Sequence, residues 1–181
     1  MCKRSSCALI TADAVIHLGS EAIWRENEDQ VKKAIVIIDP SQRLLTDGTV
    51  VGWSVYTTRG RRSQVVYLQV WRPVSPAENR YLRVGETGIT ALWVGHNYFT
   101  LFPADRIPVR RGDVIGIYFP SYNPIPWTGV PCRVEGGEHL FKYNPFRLHM
   151  SANEMTFERG SSDSNPCRKY SLNATIMDDD G

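Results

Sequence analysis

The residues with the best claim to chemistry lie where aromatic and polar side chains alternate. From Val66 to Trp71, Val66, Leu68 and Val70 fall on one side of an extended backbone, and Tyr67, Gln69 and Trp71 fall on the other, because side chains on a strand alternate with period two. Arg72 follows at once, and Tyr81 and Arg83 share a side of the next extended segment. If the two segments pair, these residues form an aromatic and polar patch. Sugar rings can stack on such a patch while Gln and Arg bond their hydroxyls. The plainer reading makes the same side a second core face, with each Tyr and Trp polar atom finding a partner. A second candidate is the loop from Pro120 to Gly129, stiffened by Pro120, Pro124 and Pro126. There Tyr122 and Trp127 would bind a ligand with little entropy lost. The plainer reading has Trp127 cap one end of a sandwich.

Catalysis finds less support. The chain has no G-x-S-x-G motif. His17, His96, His139 and His149 are scattered, with no spacing that suits metal ligation. Glu135, Glu138, Glu154 and Glu158 are carboxylates in name for glycoside hydrolysis, but nothing sets a pair across a cleft. Asp105, Asp113 and Asp163 sit in loops that could hold calcium, yet no D-x-D-x-D-G run exists, and Asp113 after Gly112 reads as a turn residue. No metal and no cofactor is expected. Two basic turns, one with Arg59, Arg61 and Arg62 and one with Arg110 and Arg111, could meet anionic groups. A formal net charge of +2 argues against nucleic acid as a partner.

These residues must be carried by strands. The 181-residue length suits one domain with its own core. Ala34 to Ile38 reads as a strand buried on both faces. Val50 to Thr57 alternates, with Val51, Trp53 and Val55 on one face. Further strands are expected at Gln64–Trp71, Arg80–Gly85 with Leu82 and Val84 inward, Ile89–Val94, Asn97–Phe102 and Val114–Phe119, with weaker ones at Leu140–Tyr143 and Met155–Glu158. The last, Lys169 to Ile176, points Tyr170, Leu172, Ala174 and Ile176 inward. About eight to ten short strands predict an all-β fold: a two-sheet antiparallel β-sandwich, jelly-roll-like. Residues 1–30 read as an irregular lead-in or short helix, 31–177 as the sandwich domain and 178–181 as an acidic tail. No stretch approaches the roughly 20 apolar residues of a membrane span.

Of the cysteines Cys2, Cys7, Cys132 and Cys167, the last two each follow a proline in turn-rich sequence. A disulfide between Cys132 and Cys167 is the preferred reading, with free thiols the alternative. Asn173-Ala174-Thr175 is an N-glycosylation sequon on the outward row of the last strand, where a glycan would meet no obstacle.

An ordered series of segments carries a resemblance. It runs from Leu68-Gln69-Val70-Trp71-Arg72-Pro73 through Tyr81-Leu82-Arg83-Val84-Gly85, Ile107-Pro108-Val109 and Gly112 to Phe119, then to Asn123-Pro124-Ile125-Pro126 and finally Pro166 to Thr175. Together, over about residues 45–176, these resemble an extracellular β-sandwich module of large multidomain marine-invertebrate proteins that often carry EGF-like or adhesive neighbours. The resemblance implies fold and an extracellular place in a longer chain, but no ligand. The expected function is therefore that of a secreted, non-enzymatic binding module, carbohydrate-binding or adhesive. The alternative is a structural protein–protein interaction domain without a small-molecule ligand.

Overall fold

The computed structural model describes residues 15–29, 33–58, 65–90, 93–131, 140–143, 153–159 and 167–178. The chain folds as an antiparallel β-sandwich, as its alternating segments predict. One sheet runs β1 (Val15–Gly19), β14 (Leu172–Asp178), β3 (Gly48–Thr57), β6 (Gly95–Thr100), with β7 (Ile107–Val109) also on β3. The facing sheet has seven strands in the order β11 (Glu154–Thr156), β5 (Arg80–Ile89), β4 (Val66–Ser75), β8 (Val114–Phe119), β2 (Ile35–Ile38), β10 (Leu140–Tyr143), β12 (Glu158–Arg159). A separate pair joins β9 (Trp127–Val130) to β13 (Cys167–Tyr170).

Fourteen strands among the described residues exceed the eight to ten expected, because several are pieces of two to four residues. The last expected strand breaks at Ser171 into β13 and β14, which serve different sheets. The lead-in is not wholly irregular: Val15–Gly19 pairs with β14, His17 opposite Thr175. Of the strand expected from Ile89 to Val94, Ile89 ends β5, and Thr90, Trp93 and Val94 lie outside any strand. The register between β14 and β3 shifts by one residue, so that Ile176 faces Val50 while Thr175 faces Gly52. That bulge moves the extra residue, Val51, off the core row; Val50 takes its place with Trp53 and Val55.

The main core lies between the two sheets. Val66, Leu68 and Val70 face it from β4, and Leu172, Ala174 and Ile176 face it from β14, as the alternation predicts. Trp53 is fully buried there, and its indole N–H donates across the sandwich to Thr87 Oγ1 at 3.0 Å. A second apolar cluster covers the outer face of the seven-stranded sheet. It contains Val36, Ile38, Trp71, Tyr81, Leu140 and Phe157, which is why every residue of β2 is buried.

A polar clamp ties the lead-in to the sandwich. Asp29, buried, accepts hydrogen bonds from Asn123 Nδ2 and Tyr170 Oη, each at 3.0 Å, and pairs with Arg168. Arg168 in turn lies 4.5 Å over the Trp127 ring. Burial pushes the Asp29 carboxyl up from its ordinary value, while Arg168, Asn123 and Tyr170 pull it back. The Tyr170 phenol is pushed well up, by its burial first and then by the neighbouring carboxylate.

Candidate functional site

The structure covers the centre of the face expected to form an open patch. Tyr67, Gln69 and Trp71 do share the outer side of β4, and Tyr81 and Arg83 stand near them on β5. That side is not solvent-facing at its centre: Gln69 is 0%, Trp71 1% and Tyr81 2% exposed. The strip from Glu154 to Arg159 covers it. Phe157 packs edge-on against Trp71 at 5.1 Å and against Tyr81 at 5.8 Å. Polar atoms beneath are satisfied in a chain: Trp71 Nε1 donates to Gln69 Oε1 at 3.1 Å, and Gln69 Nε2 to Glu86 at 2.9 Å. Arg83 donates to the same Glu86 carboxylate at 2.8 Å. Tyr67 stacks on Tyr118 at 5.4 Å. Gln69, Trp71 and Tyr81 are thus the second core face, and the expectation of an open sugar platform on them is corrected.

Arg72 is held by Asp113, through two hydrogen bonds of 2.8 Å each. Asp113 also accepts the Arg110 amide at 2.8 Å, so it is the turn residue its position after Gly112 predicts. The proline-rich loop does not project its aromatics either. Tyr122 Oη donates to Glu28 at 2.8 Å, and Trp127 exchanges backbone hydrogen bonds with Asn27 at 2.9 and 3.1 Å. Trp127, half-buried, packs against the main core. Cys167 is buried at the start of β13, opposite Val130. Cys2, Cys7, Cys132, His139, His149, Glu135, Glu138, Asp163 and the Arg59–Arg62 turn lie outside the described residues.

A different surface has the geometry of a site. On the outer face of the first sheet, a groove of about 530 Å³ is lined by His17, Ser54, His96, Tyr98, Asn173 and Thr175, with Glu21 on its wall. The pairing explains the assembly. Asn173, Ser54 and Tyr98 occupy one cross-strand row, and His17, Thr175 and Gly52 the next. Paired residues two apart along each strand point the same way.

Local structure fixes each side chain. His96 sits at the start of β6, after a turn held by Asn97, whose Nδ2 donates to the Trp93 and Gly95 carbonyls at 2.8 and 2.9 Å while its Oδ1 accepts the Trp93 amide at 2.9 Å. Gly95 takes φ +104° in that turn, a conformation that favours glycine. His96 Nε2 then lies 2.7 Å from Ser54 Oγ. Tyr98, 55% exposed, leans over Gly52; a Cβ at Gly52 would lie 3.0 Å from its hydroxyl and 2.9 Å from the Phe99 carbonyl. The far wall comes from the chain leaving β1. Gly19, at φ +118°, turns it, the Ser20 amide donates to the Leu172 carbonyl at 2.8 Å, and Asn173 Nδ2 donates to the Ser20 carbonyl at 3.3 Å.

Asn173 therefore lies inside the groove, which corrects the expectation that a glycan there would be unobstructed. No group of three or more His, Cys, Asp or Glu side chains among the described residues could hold a metal, and no helix among them is long and apolar enough to cross a membrane. Of the groove residues, the sequence alone points to Asn173, while His17 and His96 look scattered along the chain. The signal was the polar row left over once the inward residues of β3, β6 and β14 are assigned. Comparison with protein-family models, curated proteins and solved structures gives no match.

Proposed function

We propose that the chain is an extracellular, non-enzymatic binding module that takes a glycan in the groove on the outer face of the first sheet. The observation that supports this most is Tyr98. An exposed aromatic ring stands over a glycine, beside hydroxyl, amide and imidazole groups fixed on neighbouring strands. A ring of this kind offers apolar area at little entropic cost, and its neighbours supply directional hydrogen bonds. Rigid strands hold the constellation more firmly than loops would.

The extracellular assignment rests on the sequon at Asn173 and on Cys167, which is not a free thiol. We propose Cys132 as its disulfide partner, since the register of β13 on β9 sets Cys167 opposite Val130, two residues before Cys132 in the chain. The ordered motifs from Leu68 to Thr175 support a kinship with the extracellular sandwich modules of marine-invertebrate proteins.

The test is a glycan array probed with the wild-type chain and with Tyr98→Ala and His96→Ala. The expected result is binding to a defined glycan class that falls at least tenfold, about 1.4 kcal/mol, in Tyr98→Ala. Both variants should melt within a few degrees of wild type. Binding that survives Tyr98→Ala unchanged would remove the groove as the site. Silence across every glycan class would favour a structural interaction domain, for which the adjacent exposed Trp93 and Val94 on the turn before β6 offer an apolar surface.

A further inference from the structure

We infer that the groove is built for an uncharged polyhydroxyl ligand, a neutral pyranoside, and that the Thr175 hydroxyl is one of its contacts. This rests on the binding reading above and adds to it a charge class and an anchoring atom. The walls set the charge. Among the described residues, Glu21 is the one lining the groove with a formal charge when histidine is neutral, and no described Lys or Arg lines it. Recognition of sulfate, phosphate or carboxylate draws on Arg, Lys or a helix N-terminus. The described lining presents none of these, and Glu21 would repel an anion. What it presents instead are neutral groups. The hydroxyls of Ser54 and Tyr98 each donate and accept, and the Asn173 amide does both through separate atoms. Adjacent ring hydroxyls of a sugar, which also donate and accept, are the complement of such a lining.

Thr175 supplies the second observation. It is 6% exposed, and its Oγ1 is buried with no hydrogen-bond partner. A buried hydroxyl without a partner is unfavourable, and an apolar side chain of the same shape would avoid the penalty. The fold therefore gains nothing from the oxygen. One rotamer step about χ1 exchanges hydroxyl and methyl, and because Thr175 lines the groove, a ligand hydroxyl can draw Oγ1 toward itself. Its cross-strand neighbour on β1 is His17, which also lines the groove.

The experiment uses the full chain made in a host that does not N-glycosylate, so that Asn173 is bare. Calorimetric titration compares three probe sets: neutral gluco-, manno- and galacto-oligosaccharides; sulfated, sialylated and uronate oligosaccharides; and amino-sugar oligomers. The variants are Tyr98→Ala, Thr175→Val and Thr175→Ser. The expected result is that neutral probes bind best. Thr175→Val should bind roughly tenfold more weakly with a melting point equal to or above that of wild type, while Thr175→Ser keeps most of the affinity. Preferential, Tyr98-dependent binding of acidic or amino sugars would overturn the inference and leave the glycan reading standing. Full affinity in Thr175→Val would overturn it too. No binding of any probe to the wild type would overturn both. Should Thr175→Val fail to fold, a loss of affinity in Thr175→Ser would still count against the hydroxyl as the contact.

Discussion

Arg72 and Asp113 show how a residue that looks available for binding can be spoken for by the fold. The pair is asymmetric: the Asp113 side chain is 1% exposed and the Arg72 side chain 29%. Hydrogen bonding to Asp113 holds the guanidinium pKa above its ordinary value, against the opposing effect of partial burial. Removing the arginine leaves a carboxylate with no water to turn to, whereas removing the carboxylate leaves a guanidinium that can still reach solvent. Arg72→Met should therefore destabilise by about 3 kcal/mol. Asp113→Asn, which retains an acceptor for the Arg110 amide, should cost about half as much. The double variant should recover part of the loss. Urea denaturation of the four proteins closes the cycle; additive losses would mean that the two side chains do not act as a unit. At this scale the sequence was partly legible. Asp113 after a glycine is a turn residue on local grounds alone. Its arginine partner lies 41 positions away, and no local pattern connects them.

At the scale of elements, alternation reports which residues share a face, but not what covers that face. Val66, Leu68 and Val70 were readable as core because they are uniformly apolar. Tyr67, Gln69 and Trp71 were ambiguous because their side chains suit either a wet surface or a satisfied interior. The deciding element is the short strip from Glu154 to Arg159, visible in the sequence only as a weak strand, which carries Phe157 onto Trp71 and Tyr81. Phe157 is 3% exposed, so its truncation opens a cavity against two aromatic rings. Phe157→Ala should lower unfolding stability by about 3–4 kcal/mol and weaken the near-ultraviolet circular dichroism of the folded chain. A loss below about 1 kcal/mol would be well under the usual range for a core phenylalanine, and would mean that the strip does not hold the outer face closed. The bulge between β14 and β3 was illegible for a related reason. Both strands alternate cleanly on their own, and the one-residue slip exists only in their pairing.

The groove is a property of the whole molecule. It gathers residue 17 from the first strand, 54 from the third, 96 and 98 from the sixth and 173 and 175 from the last. Such long-range pairing is what a single sequence conveys least, and it is why the histidines looked scattered. It also places the sequon within the groove it helps to form, which sets up a competition. Glycosylation adds to Asn173 Nδ2 and leaves one N–H, enough to keep the bond to the Ser20 carbonyl, so the fold can tolerate the modification. The first sugar would then stand beside Ser54, the cross-strand neighbour of Asn173, in the space a free ligand needs. A chain from glycosylating cells, with occupancy at Asn173 verified by mass spectrometry, should therefore bind the array ligand at least tenfold more weakly than the same chain made without glycosylation. Asn173→Gln made in the same cells should bind more tightly than the glycosylated wild type, because its groove stays open. Equal affinity at full occupancy would place the ligand elsewhere on the surface, since the tethered sugar stands beside Ser54 in the groove itself.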